Sequence, residues 1–470
     1  MGIFNLALLV LFGIGSFARD TPLNEFEIDN SLGDSLYKGK QWVVLVAGTS
    51  GWKKYRHQAD ICHAYQIVKS NGIPEENIIT MIVDDIAHNI RNPRRGKIFN
   101  KPHKAFRGKD VYRGVQIDYR GSDVNSENFL NIITGNKTGM QNVGSGKVVE
   151  GGPHDTIFVN FVTHGSTGFL SFPDSFLFAD ELNNAFNNMY TNGNFAKMLL
   201  YIEASYGGSL FDGILNERTN IMAVTASGPR ENSYACYYVG FPYYTFLGDD
   251  FSVTWMENSD SMYGDFSAAD ITVFEDYSVV REAIDDSNVM IYGDYHIGNE
   301  PLSSFIGYQE NDSQSTKAIS KKTVMSGMSS KDVDEYSVLD QLTNDKLTAI
   351  KKSELETELS KNNRMRSIIN NIFRDIYSKV LTATPEIKEI VGEYDAPHNQ
   401  QLTLKMFPCY RSIINTISDS CFSLTQNPYT LDRLNVFANL CVADNQIHEL
   451  VNNLVNESCA NIPKNIINVF

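Results

Sequence analysis

The sequence predicts an α/β protein: a three-layer sandwich with a mainly parallel sheet, followed by a small helical bundle linked by disulfides. Three observations carry this. Five short, apolar, β-rich segments are spread between residues 41 and 309 with helical patterns between them. A polar stretch rich in Ser, Lys and Asp, residues 310–345, breaks that rhythm. After it, helical spacing takes over, and four of the six cysteines fall between residues 409 and 459.

The predicted strands are "WVVLVAG" (42–48), "NIITMIV" (77–83), "TIFVNFV" (156–162), "MLLYIEA" (198–204) and "NIMAVTA" (220–226). They are apolar at consecutive positions, as strands covered on both faces must be. The helix pattern "HQADICHAYQIVKSNG" stops at Asn71-Gly72, just before Pro74. Repeated β-α-β units put helices on both sides of one sheet, with chemistry gathered at the carboxyl ends of its strands. Both His164 and Ser205 sit there. Downstream, Leu355, Leu359, Ile368, Ile372, Ile376 and Val380 recur mostly at helical spacing. The expected organisation is a signal segment (1–18), an α/β domain (36–309), a protease-accessible linker (310–345) and a helical domain (346–470).

With 42% apolar and 20% charged residues, the chain reads as a globular protein, and past its start it has no run that could span a membrane. A net charge of −16 argues against a nucleic-acid partner. The start, "MGIFNLALLVLFGIGSFA", has signal-peptide length with small residues Ser16 and Ala18 at a cleavage position. It predicts entry to the secretory pathway, ending in a lysosome-like vesicle or outside the cell. Sequons at Asn136, Asn311 and Asn456 fit that route as glycosylation sites. The tail cysteines Cys409, Cys421, Cys441 and Cys459 predict two disulfides, with three pairings open.

No cofactor and no metal are expected. There is no CxxC, and His57, Asp60 and His63 share a helix without a fourth ligand. "GSGKV" lacks both the upstream glycine and the following Ser or Thr of a phosphate loop, and "YRGSD" is not an integrin-type motif.

The strongest constellation pairs "TIFVNFVTHGSTG" with "MLLYIEAS": a base, His164, after one strand, and a hydroxyl, Ser205, after a neighbouring one, able to meet within hydrogen-bond reach. From about residue 40 onward the chain resembles the legumain family of asparaginyl endopeptidases, which are caspase-like cysteine peptidases. The resemblance is carried by "VLVAGTSGWKKYRHQADICHAYQI", "DDIAHNIRNPRRGKIFN", "VQIDYRGSDV", "GSGKVVEGGPHDTIFVNFVTHGSTGFLSFP", "YIEASYGGSLF", "PRENSYACYY" and "LGDDFSVTWMENSD". It implies a caspase-like peptidase domain and a helical prodomain that covers the active site. It also implies pairing of Cys409 with Cys441 and Cys421 with Cys459, and processing in the linker after residues such as Asn311 or Asn344.

By the same resemblance, Arg56, Glu203 and Asp249, accompanied by His57, form a pocket for asparagine in a peptide substrate or ligand. The chemistry suits it: a primary amide offers a carbonyl to a guanidinium and an NH2 to carboxylates. The catalytic positions depart from the family. Ser205 stands where the family has its nucleophilic Cys, with Tyr206 and Gly207 also changed; Lys54 replaces an orienting Asn, and Thr163 an Asp. Only His164 and Gly165 remain. A serine hydroxyl is far less acidic than a thiol and needs a well oriented base, and losing a key catalytic member commonly lowers turnover by on the order of 10⁴. The leading expectation is therefore a pseudoprotease that binds asparagine-bearing peptides. The alternatives are an endopeptidase cleaving after Asn with Ser205 and His164 as a residual pair, and a structural partner-binding protein.

Overall fold

The computed structural model describes residues 39–102, 108–262, 269–309, 327–395, 401–425 and 427–462. The proposed signal segment and Asn311 lie outside them. The five predicted strands form within one residue at each end: β1 (Gln41–Ala47), β2 (Ile78–Ile82), β3 (Thr156–Val162), β7 (Lys197–Glu203) and β8 (Ile221–Thr225). Between β3 and β7 a small antiparallel sheet interposes β4 (Gly165–Ser166), β5 (Phe169–Ser171) and β6 (Phe176–Phe178). Strands β9 (Tyr234–Val239) and β10 (Thr245–Asp249) form a hairpin, extended by β12 (Met328–Ser329). The main sheet runs β11-β8-β7-β3-β1-β2, parallel except for β11 (Met290–Gly293), which is antiparallel to β8.

Side chains alternate across β1. Val43, Leu45 and Ala47 enter the core under α1 (Tyr55–Ser70), α4 (Asp250–Met262), α5 (Val273–Glu282) and α6 (Ser303–Ile306). Trp42, Val44 and Val46 enter the opposite core, under α2 (Ser126–Ile133) and α3 (Ala179–Thr191). That is the expected three-layer sandwich. No helix among the described residues is long and apolar enough to cross a membrane.

The tail comprises α7 (Val333–Leu342), α8 (Ala349–Ala383), α9 (Lys388–Val391), α10 (Phe407–Ser420), α11 (Pro428–Leu431), α12 (Asn435–Ala443) and α13 (His448–Cys459). Disulfides join Cys409 to Cys441 and Cys421 to Cys459, with Cα–Cα distances of 5.9 and 5.0 Å. The tail is not a separate core. Residues Gly39–Phe470 pack as one unit, and Tyr410 of α10 lies 6.3 Å from the Phe169 ring of β5.

One boundary needs correction. Residues 328–342, assigned by composition to a solvated linker, form β12 and α7, and Val333 packs with Ala235 and Phe246. The segment has too few apolar residues to signal a helix of its own; it is held by the β9 edge and a small apolar contact.

Candidate functional site

Strands β3 and β7 are neighbours in register, with Val162 opposite Glu203, so the residues just past their ends must lie side by side. Thr163 donates its N–H to the Glu203 carbonyl at 2.9 Å. At Gly165 a Cβ would stand 2.3 Å from the Ser205 carbonyl oxygen, so only glycine lets the two tips close up. His164 and Ser205 are thus brought together at the carboxyl edge, both buried.

In this arrangement they are not hydrogen-bonded to one another. The Ser205 hydroxyl accepts the Ser233 N–H at 3.0 Å, and His164 Nε2 is buried without a partner among the described residues. The Thr163 hydroxyl turns away and donates to the Ser171 carbonyl at 2.6 Å. Burial, reinforced by the charges of Lys54 and Arg56, holds the His164 pKa well below that of a free histidine. It is a neutral imidazole.

The pocket residues converge from three elements. Arg56 and His57 lie in the first turn of α1, Glu203 ends β7, and Asp249 ends β10. Arg56 Nε donates to Asp249 Oδ1 at 2.7 Å, and its Nη1 reaches the Lys53 carbonyl at 3.3 Å. Glu203 Oε2 accepts from the N–H and hydroxyl of Ser252, at 3.0 and 3.1 Å, in the first turn of α4. Three buried polar atoms here have no hydrogen-bond partner among the described residues: Arg56 Nη2, Glu203 Oε1 and Asp249 Oδ2. One donor and two acceptors are what a primary amide would pair with.

Thr49 Oγ lies 2.7 Å from His57 Nδ1, and the rings of His57 and His164 meet edge-on at 5.0 Å. Burial, then the charge of Arg56, depresses the His57 pKa as well. The carboxyls shift the other way. Burial and the charge of Asp249 push Glu203 and Asp60 well above the ordinary carboxylate range, while Asp249 rises less because Arg56 pulls it back. Of the three, Asp249 is the carboxyl paired directly with Arg56.

Sequence reasoning missed two members, Asp60 and Ser252. Asp60 sits one turn after Arg56 on α1 and accepts both the Asn100 amide, at 2.6 Å, and the Asp249 N–H, at 3.2 Å. The i, i+4 spacing of Arg56 and Asp60 was the available signal. Ser252, three residues after Asp249, had none. No group of three or more His, Cys, Asp or Glu able to hold a metal ion occurs among the described residues, and His63 is taken by Asn100 and Asp260.

The tail reaches this edge. The Ser166 hydroxyl donates to the Leu431 carbonyl at 2.6 Å, and Thr425 lines a cavity of about 390 Å³ with Thr49, Lys54 and His164. On the other side, Ser330 donates its N–H to the Ser233 carbonyl at 3.0 Å, beside Ser205. Of the predicted glycosylation sites, Asn136 and Asn456 are exposed.

A mainly parallel sandwich with a histidine and a serine at adjacent strand tips, an amide-sized set of unpaired polar atoms beside them and a helical tail across them defines a peptidase-type protein. Sequence comparison makes this specific: residues 41–346 match the Peptidase C13 family and residues 354–459 the legumain prodomain, and the chain belongs to the C13, or legumain, family. It is 38% identical to legumain of Bos taurus, over 86% of this chain and 89% of that protein. Identity to legumain of Homo sapiens is 36%, over 94% and 95%. Identity to the vacuolar-processing enzyme beta-isozyme 1 of Oryza sativa subsp. japonica is 34%, over 86% and 82%. Among solved structures, caspase-1 of Spodoptera frugiperda aligns at TM-score 0.33 and 11% identity, over 59% of this chain and 93% of that one, too remote to add to the assignment.

Proposed function

We propose that this legumain-family protein keeps an asparagine-binding pocket while its peptidase chemistry is lost or strongly impaired. The observation that carries the reading is a contrast within one site. Arg56, Glu203 and Asp249 each keep an unpaired polar atom suited to an amide, whereas Ser205 is bonded to Ser233 and not to His164. A neutral His164 with Lys54 charge nearby also resists the protonation that general-base attack would require of it.

The ligand is an asparagine-bearing peptide or protein loop, and the protein's own tail acts as a prodomain over the cleft. The protein follows the secretory route to a lysosome-like vesicle or the exterior. The apolar start, the sequons and the tail disulfides support that route.

The test is titration with a fluorescent Asn peptide and its Gln and Asp counterparts, in the intact chain and in the chain cut within residues 310–345. Asn preference that disappears in Arg56→Ala supports the pocket. Equal binding of all three removes it.

A further inference from the structure

We infer that Lys54 forms a subsite for an acidic side chain of the bound peptide, and that Asp334 is its built-in occupant; this rests on reading the cleft as a peptide-binding site. Lys54 immediately precedes α1, the helix whose first turn carries Arg56 and His57. Its ammonium pairs with the Asp334 carboxylate, both side chains being largely removed from solvent. Lys54 hydrogen-bonds Asp334 Oδ2, while Asp334 Oδ1 is buried with no hydrogen-bond partner among the described residues.

The segment that delivers Asp334 begins as a strand added to β9 and then turns into α7, which carries Asp334 in its first turn. Met328 and Ser329 pair antiparallel with Ala235 and Tyr234 on the β9 edge, and Ser330 bonds to Ser233. Ser233 in turn donates to the Ser205 hydroxyl at 3.0 Å. An extended segment added to an exposed strand, with a side chain anchored further along, is a recurring mode of peptide recognition. Here the anchor is a carboxylate.

The local charge agrees. Lys53, Lys54 and Arg56 all draw on Asp334, strongly enough to outweigh the cost of burying it. Asp249 answers Arg56, and Glu358 lies 3.5 Å from Lys53. With Asp334 displaced, Lys54 is left facing the cavity beside His164, where Asp174 is the acidic residue in the lining. That site would take an Asp or Glu side chain and reject Lys or Arg.

The test uses the full chain with Asp334→Ala, which empties the subsite. Fluorescent Asn peptides carrying Asp at successive positions around the Asn are compared with the same peptides carrying Lys. At one position Asp should bind about tenfold or more tighter, as a charge-assisted hydrogen bond warrants. Adding Lys54→Ala should bring that ratio to about one while the Asn-over-Gln preference persists. Equal binding of Asp and Lys peptides with Asn preference intact overturns the proposal. Acid preference that depends on Lys54, without Asn-over-Gln discrimination, supports the subsite and counts against the asparagine pocket.

Hydrogen exchange gives a second readout in the intact chain. Exchange over residues 328–342 should rise in Asp334→Ala and in Lys54→Ala, and no further in the double variant. Unchanged exchange in both single variants overturns the proposal, as does faster exchange with no peptide binding at all.

Discussion

Arg56 meets Asp249 through one hydrogen bond only, Nε to Oδ1 at 2.7 Å, although both side chains are buried and a two-pronged pairing is within their chemistry. Among the described residues the second prong of each makes no hydrogen bond: Arg56 Nη2 has no partner, and Asp249 Oδ2 is 3.6 Å from His57 Nε2. Leaving a buried donor or acceptor unmade costs about 1–3 kcal/mol. A pocket that carries this cost in the free state recovers it when a ligand supplies the missing partners.

The carboxyls of this pocket make its stability depend on pH. Glu203 is raised above its ordinary value of 4.5, so the folded state retains a proton that the unfolded chain gives up. Stability is therefore lost as pH rises from about the ordinary value through the raised one. Glu203→Gln keeps the shape and removes the charge. Its melting temperature relative to wild type should increase between pH 4.5 and 7.5, read by calorimetry.

The two imidazoles act in the opposite sense. His57 and His164 are both depressed below 6.5, so the unfolded chain binds protons that the folded chain refuses. This lowers stability as pH falls below that value, by at most about 1.4 kcal/mol per pH unit for each histidine. Nitrogen-15 NMR should find both rings neutral at pH 6, where a free histidine is mostly protonated.

Gly165→Ala places a methyl 2.3 Å from the Ser205 carbonyl, a backbone atom with no room to yield. Overpacking of this kind costs about 1–3 kcal/mol. Urea unfolding should register the loss, and the Asn preference should weaken because Glu203 lies on the displaced strand.

The tail disulfides close loops of 32 and 38 residues. By loop-closure entropy each contributes about 4 kcal/mol. Replacing Cys421 and Cys459 together by Ser should destabilise the tail by roughly that amount, and amide exchange in α10 and α13 should accelerate.

Much of the fold is legible in the sequence because strands covered on both faces write themselves as unbroken apolar runs. "TIFVNFV" is recovered to the residue as β3. The hairpin of β9 and β10 is not legible, since "YACYYV" mixes half-buried tyrosines with a polar surround and gives neither period. The site shows the same division. Arg56, Glu203 and Asp249 are found through family blocks, and the parallel register explains why β3 and β7 carry His164 and Ser205 to one edge. The bond between Ser205 and Ser233 and the pairing of Lys54 with Asp334 join residues 28 and 280 positions apart, and no local pattern encodes such contacts.

The central claim is that binding is kept while chemistry is lost, and turnover of a fluorogenic Asn peptide near pH 5, in the chain cut within residues 310–345, tests it most directly. The account predicts no turnover by the wild type and a gain of asparaginyl cleavage when Ser205→Cys, Lys54→Asn and Thr163→Asp are combined. Robust wild-type hydrolysis that resists thiol blockers and disappears in Ser205→Ala would contradict it.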